Sequence, residues 1–248
     1  MVFGGLRDKR EKSMKAILFD MDRTLVPMDE EQFVKNYFVG LARKLCPLGI
    51  EKDFLIDTIW KATGAMVCNN GEKTNEEVFW SVFEKTVERD CTEFRAACDD
   101  FYDHEFEQVK TVTRANPQAV EAVKAARIAA DKVVLASQPI FPMKAQLIRA
   151  GFVGLKEEDF DHVTAYETEK YAKPNPDYYR AICARLGVKP EECLMIGNDT
   201  REDMHAAAEA GLNCYLVTDC INAKEGYTWD GPKGTFAQMV EMLRGLDR

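Results

Sequence analysis

Asp20 and Asp22 stand two positions apart at the end of a short apolar run, Ile17-Leu18-Phe19, and lead into Arg23-Thr24-Leu25. Three apolar residues in a row read as a buried strand, and a carboxylate where the core should continue marks its tip. With a side-chain period of two, the acids leave the strand end on the same side. Neighbouring carboxylates repel, and the pair is costly unless a cation lies between them. Ligands of open α/β sheets bind beyond the carboxyl ends of the strands, so the stretch points to a magnesium-type site at the first strand tip. One plainer reading is an acidic turn, since Asp is common in turns. Another is a calcium loop, with Asp20, Asp22 and Thr24 at the first ligand spacings and Glu31 at the twelfth position. That loop fails at its sixth position, Leu25, where Gly is required, and a strand rather than a helix precedes it.

Other residues suited to the same chemistry lie far apart in sequence. Ser137 ends the run Lys132-Val133-Val134-Leu135-Ala136, and Lys173 lies in Ala172-Lys173-Pro174-Asn175-Pro176. Asp199, with Asp203 one turn on, follows Cys193-Leu194-Met195-Ile196-Gly197-Asn198. Singly each has an ordinary explanation: Ser137 in a turn, Lys173 solvated, the aspartates at a helix N-terminus. Together they supply acids for one cation, a hydroxyl and an ammonium on successive strand tips. Phosphoryl transfer needs that set: a nucleophile, a metal, and donors aimed at the equatorial oxygens.

The elements that must position these groups fall into two patterns. Beyond Pro27, residues 28–111 carry helical spacing only. Phe33, Val34, Tyr37, Phe38, Leu41 and Leu45 mark a first helix, and Ile56, Ile59, Trp60, Thr63 and Val67 a second. Thr74-Asn75-Glu76-Glu77 reads as a capping box opening a third helix, with Val78, Phe79, Val82 and Phe83 inward. Phe94, Cys98, Phe101, Tyr102 and Phe106 mark a fourth. From Asn116 onward strand and helix alternate, which predicts a parallel sheet with helices on both faces and right-handed crossovers. The expected fold class is therefore α/β, a Rossmann-like sheet with an inserted α-helical domain. Residues 14–27 and 112–248 would form the core, 28–111 the insert, and 1–13 a loose N-terminal extension.

Composition narrows the function further. A net charge of −9 disfavours nucleic acid or an anionic membrane as partner, though a metal and one lysine can reverse the field locally. The eight cysteines are scattered without a C-x-x-C pair, which suits buried thiols in a reducing cytoplasm better than disulfides or zinc. Val2 to Ser13 is charged and lacks the apolar stretch of a signal peptide. No apolar run approaches the ~20 residues of a membrane span.

Asp20-x-Asp22-x-Thr24, the strand-end Ser137, Lys173-Pro174-x-Pro176 and Gly197-Asn198-Asp199-x-x-x-Asp203 resemble, in order, the four motifs of the haloacid dehalogenase superfamily. The insert is similar to the C1 cap of its phosphoglycolate-phosphatase-like branch. Two departures stand out: Arg23 occupies a position usually held by Gly, and Asn198 separates Gly197 from Asp199. The resemblance implies a magnesium-dependent phosphatase for a small phosphorylated metabolite, such as a sugar phosphate, a phosphoglycolate-like acid or a nucleotide. It implies that Asp20 is the nucleophile and Asp22 the general acid and base. Mg²⁺ would be held by Asp20, the Asp22 main-chain carbonyl and Asp199, with Asp203 orienting that shell. Thr24, Ser137 and Lys173 would bind the phosphoryl oxygens. The cap would read the leaving group, through Asn69, Asn70 and Lys73 in the loop between its second and third helices. Relatives that act as dehalogenases or phosphonatases lack the second aspartate, and phosphomutases carry an early cap histidine, whereas the only cap histidine here is His104. A non-catalytic binding protein that kept the fold is the rival from another class.

Overall fold

The structure is a computed structural model that describes residues 14–246; the expected N-terminal extension, 1–13, lies outside the described residues. Six strands form one parallel sheet: β1 (Ala16–Phe19), β2 (Lys132–Leu135), β3 (His162–Val163), β4 (Cys193–Gly197), β5 (Asn213–Val217) and β6 (Lys233–Gly234). Their order is β3-β2-β1-β4-β5-β6, so the chain leaves β1 to one side and returns to its other flank at β4. The reversal point of a doubly wound sheet therefore falls between β1 and β4, where such sheets open a crevice for ligands.

β1 is apolar throughout because both of its faces are covered. Ile17 and Phe19 point into a core closed by α5 (Gln118–Ala129) and α9 (Phe236–Arg244), whereas Ala16 and Leu18 meet α7 (Pro176–Leu186) and α8 (Ala206–Ala210) on the opposite face. The register levels Phe19 with Leu135 of β2 and Ile196 of β4, so the residues after all three strands emerge at one height. Main-chain bonds carry the ladder one step past the strand, from Asp20 N–H to the Ile196 carbonyl at 2.9 Å and from Ala136 N–H to that of Phe19 at 2.7 Å.

Between β1 and α5 lies the helical insert: α1 (Glu30–Leu45), α2 (Lys52–Val67), α3 (Asn75–Val87) and α4 (Thr92–His104). Asp29 caps α1, and the Thr74–Glu77 capping box opens α3. Phe83, Phe94, Phe101 and Phe106 are fully buried in the insert's own cluster, which also takes in Ala145 of the core helix α6 (Met143–Gly151). The chain enters and leaves the insert side by side, where Met28 and Thr113 form an antiparallel bridge.

Two local features were not legible in the sequence. β6 is only two residues long, Lys233–Gly234, and carries no apolar signal. The segment after β4 begins with π-type turns over Thr200–His205, where the Met204 N–H donates to the Asp199 carbonyl five residues back at 3.1 Å.

Candidate active site

The strand tips bring Asp20, Asp22, Thr24, Ser137, Lys173, Asp199 and Asp203 to one end of the sheet. Lys173 is 1% exposed, far from the solvated loop lysine its sequence position allowed. Its ammonium donates to Asp20 Oδ1 at 2.8 Å and to Asp203 Oδ1 at 2.7 Å. Burial by itself would lower its pKa, but the Asp20 and Asp203 charges outweigh that and hold it well above the usual lysine value. The loop bearing it is pinned by Gln138, whose Oε1 accepts the Lys173 N–H at 3.0 Å and whose Nε2 donates to the Lys173 carbonyl at 2.9 Å.

Asp203 is fully engaged. Besides Lys173, it accepts the main-chain N–H groups of Asn198 at 3.0 Å and Asp199 at 2.9 Å on Oδ2. Burial pushes its carboxyl up, to about 7, even against the opposing pull of the Lys173 ammonium, and the three donors on its two oxygens favour the anionic form. Asp199 caps the following helical segment, its Oδ1 accepting the N–H groups of Arg201 and Glu202 at 2.8 and 2.7 Å, and its Oδ2 accepts Asn222 Nδ2 at 2.6 Å. The ordinary helix-capping reading thus holds for Asp199 alongside its place at the site, and fails for Asp203.

Both departures from the family pattern have a structural account. Arg23 adopts the left-handed conformation, φ 64°, that a glycine takes at no steric cost. Its guanidinium bonds Glu30 at 3.2 Å and the Ile221 carbonyl at 3.4 Å. Asn198 is a clip: its Nδ2 donates to the Cys220 carbonyl at 2.7 Å, which turns Oδ1 toward the Thr24 hydroxyl at 3.1 Å. That hydroxyl also lies 3.0 Å from Asp20 Oδ2, so its single proton serves one acceptor at a time.

Two buried atoms have no hydrogen-bond partner among the described residues, Ser137 Oγ and Asp22 Oδ1. Natives leave few such atoms, and those at a site are where a ligand completes the bonding. The other Asp22 oxygen accepts Arg149 Nη1 at 2.5 Å. Burial raises the Asp22 pKa, Arg149 opposes that, and the Asp20 charge adds to the rise. Arg149 projects from α6 with no exposure, bonds Gln146, and lies 4.5 Å from the Phe141 ring centroid. Sequence reading passed over it. The available signal was a polar pair, Gln146 and Arg149, on the buried stripe of an otherwise apolar helix face.

Asn69, Asn70 and Lys73 are not brought to this site. Asn69 is buried and donates to the Asn75 side chain at 2.8 Å and the Lys73 carbonyl at 2.9 Å. Asn75 in turn donates to the core carbonyls of Pro139 at 3.1 Å and Tyr171 at 3.3 Å. Asn70 Oδ1 accepts the Glu72 N–H at 3.2 Å, closing the turn on itself. The loop joins insert to core, and none of its three residues lines the cavity above the strand tips. That cavity, about 320 Å³, runs from Asp20, Asp22 and Asp199 into the insert, where α1, α2, α3 and α4 line it together with Phe141 and Tyr166 of the core.

Among the described residues no three Asp, Glu, His or Cys side chains converge on one point. A cation here would take one or two carboxylates with main-chain, water and substrate oxygens, which is how Mg²⁺ is commonly held. Asp20 and Asp199, hard-oxygen donors 8% and 5% exposed on adjacent strand tips, fit that role.

Residues 14–211 match the haloacid dehalogenase-like hydrolases. Pyrophosphatase PpaX of Bacillus cereus is 22% identical over 238 residues, 95% of this chain and 99% of the relative. Among solved structures, a HAD phosphatase from Thermococcus onnurineus superposes with a TM-score of 0.59 at 22% identity, covering 95% of this chain and all of its own. A 2-haloacid dehalogenase from Pseudomonas syringae gives 0.60 at 16% identity, covering 93% and 98%. The family match alone spans well over half of the 248 residues, and the chain therefore belongs to the haloacid dehalogenase-like hydrolases.

Proposed function

We propose that this hydrolase is a magnesium-dependent phosphatase that cleaves a small phosphate monoester through an aspartyl-phosphate on Asp20. The observation that carries the reading is the difference between two carboxylates two residues apart. Asp20 lies on the Lys173 ammonium with Thr24 beside it. Asp22 is raised by burial against the Arg149 guanidinium on one of its oxygens, and its other oxygen has no partner among the described residues. Environments that separate two carboxyl groups in this way assign one to nucleophilic attack and the other to proton transfer.

In the first step an Asp20 oxygen attacks phosphorus, the ester P–O bond breaks, and Asp22 gives its proton to the departing alkoxide. In the second, Asp22 takes a proton from water as that water attacks phosphorus, and the bond to Asp20 breaks to release inorganic phosphate. Ser137 Oγ, buried with no partner among the described residues, supplies a donor for a phosphoryl oxygen, and Lys173 stabilises the same charge. Mg²⁺ would be held by the Asp20 carboxylate, the Asp22 carbonyl and Asp199, with Asp203 bracing the Asn198–Asp199 main chain behind them. Bound there, it supplies charge neutralisation at the phosphoryl oxygens. Asp22 argues against a dehalogenase, for which no proton donor at that position is needed. Eight free thiols, four of them buried, support a reducing cytoplasmic setting.

The test is turnover of p-nitrophenyl phosphate with Mg²⁺ and with excess chelator, by the native protein and by Asp20→Asn. Activity is expected only in the native protein with Mg²⁺. Asp20→Asn that hydrolyses near the native rate would overturn the aspartyl-phosphate route.

A further inference from the structure

We infer that the leaving group accepted by this site is an apolar, ring-bearing alcohol or phenol, seated among the aromatic side chains of the insert. This rests on the phosphatase reading for the bond that breaks, while the apolar chamber stands on its own geometry. Above the strand tips the cavity wall changes character. Phe33 and Phe38 come from α1, Ile59 and Trp60 from α2, and Phe79 and Phe83 from α3. The Phe38 and Trp60 rings lie 5.3 Å apart, and Trp60, which lines the cavity, is 51% exposed, a large apolar side chain left open among the described residues.

The polar inventory of the same wall is small. The Tyr37 and Tyr102 hydroxyls bond each other at 2.7 Å, which leaves one proton between them. Thr63 and Tyr166 add a hydroxyl each and Trp60 an indole N–H, while the Trp80 N–H is taken by Tyr166 and the Gln138 amide by the Lys173 main chain; Glu30 is the one charged group that the insert contributes. The only Lys or Arg among the described residues that line the cavity is Arg23, already bonded to Glu30 and the Ile221 carbonyl. A sugar's hydroxyls would enter this chamber and lose water for too few partners. A second phosphate or a carboxylate would meet Glu30 and no free cation, which sets this chamber against pyrophosphate and phosphoglycolate-like acids. An apolar ring loses nothing there and gains contact with the aromatic lining.

The deciding experiment compares cyclohexylmethyl phosphate with glucose 6-phosphate in Mg²⁺. Both are primary alkyl esters of similar size, so the comparison isolates the hydroxyl groups. kcat/KM should favour the apolar ester by about a hundredfold, the scale on which a site tells matched polar and apolar groups apart. Trp60→Gln, at a half-exposed position the fold tolerates, should narrow that ratio about tenfold. Binding of 1-naphthol to Mg²⁺-free protein, read by quenching of tryptophan fluorescence, measures the chamber without the chemistry. Equal or better turnover of glucose 6-phosphate, or no binding of 1-naphthol, overturns the inference and leaves the phosphatase reading in place. If neither ester is hydrolysed but 1-naphthol binds and Trp60→Gln weakens it, the apolar chamber stands and the phosphatase reading falls.

Discussion

Gly197→Ala should be among the most damaging single-methyl additions to this protein. Gly197 ends β4, and a Cβ built there would come within 2.6 Å of the Asp203 Cβ and closer still to its carboxylate. Ordinary contact requires about 3.5–4 Å, so the Asp203 side chain must retreat by about 1 Å. Asp203 Oδ2 accepts the Asn198 and Asp199 N–H groups at 3.0 and 2.9 Å, and that retreat takes both beyond hydrogen-bond range. Lys173 can follow Oδ1 on its flexible stem. Two bonds to a charged acceptor at about 1.5 kcal/mol each give a loss of about 3 kcal/mol. In a chain of this size that is a fall in Tm of roughly 6–12 °C. The orphaned Asp199 N–H belongs to a residue proposed to hold the metal, so the Mg²⁺ concentration for half-maximal activity should rise about tenfold. Urea unfolding and a Mg²⁺ titration of activity measure the two effects. Gly64→Ala is the control: Gly64 lies within α2 with nothing near its would-be Cβ, and there alanine should stabilise by about 0.5–1 kcal/mol. If Gly197→Ala unfolds within 1 kcal/mol of the native protein, the bracing role of Asp203 is wrong.

At position 23 the usual order of alanine and glycine should invert. The left-handed backbone costs a side chain about 1–2 kcal/mol, so Arg23→Gly should be about 1 kcal/mol more stable than Arg23→Ala by thermal unfolding. Asp22→Asn should lower steady-state turnover by about 10²–10⁴. With p-nitrophenyl phosphate, whose leaving group needs no proton, it should still release one burst of nitrophenol, visible by stopped flow. Lys73→Ala should leave kcat/KM ratios among esters unchanged, because Lys73 does not line the cavity. Asn75→Ala should lower stability by about 1–3 kcal/mol, because the buried Asn69 amide and the core carbonyls of Pro139 and Tyr171 lose their partner.

Much of this protein was legible in the chain itself, because the relevant signals are local. Ile17 to Phe19, Lys132 to Ala136 and Cys193 to Ile196 are short apolar runs, each stopped by a residue that chemistry rather than packing would place there. The Thr74–Glu77 capping box is a relation across three residues, and it opens α3 where its pattern says it should. Alternation of strand and helix implies a parallel sheet, and a parallel sheet puts strand tips on one side. That chain of reasoning brings Asp20, Ser137 and Asp199 together without coordinates.

Only the tertiary structure decided what surrounds those tips. Arg149 meets Asp22 across 127 positions, and no local pattern links them. The Asn69–Lys73 loop looked like a surface able to read a substrate, but polar residues in a turn look the same when they bolt two parts of a chain together. The sharpest limit concerns the insert. Helical periodicity places Phe33, Phe38, Ile59, Trp60, Phe79 and Phe83 on inward faces, as it does Phe94 and Phe101. Phe94 and Phe101 pack only as core, whereas the other six also border a cavity of about 320 Å³, Phe33, Ile59 and Phe83 while belonging to the same buried cluster. Periodicity reports which way a side chain faces; whether the space it faces is filled or open depends on how four helices cross, and that is settled by packing in three dimensions.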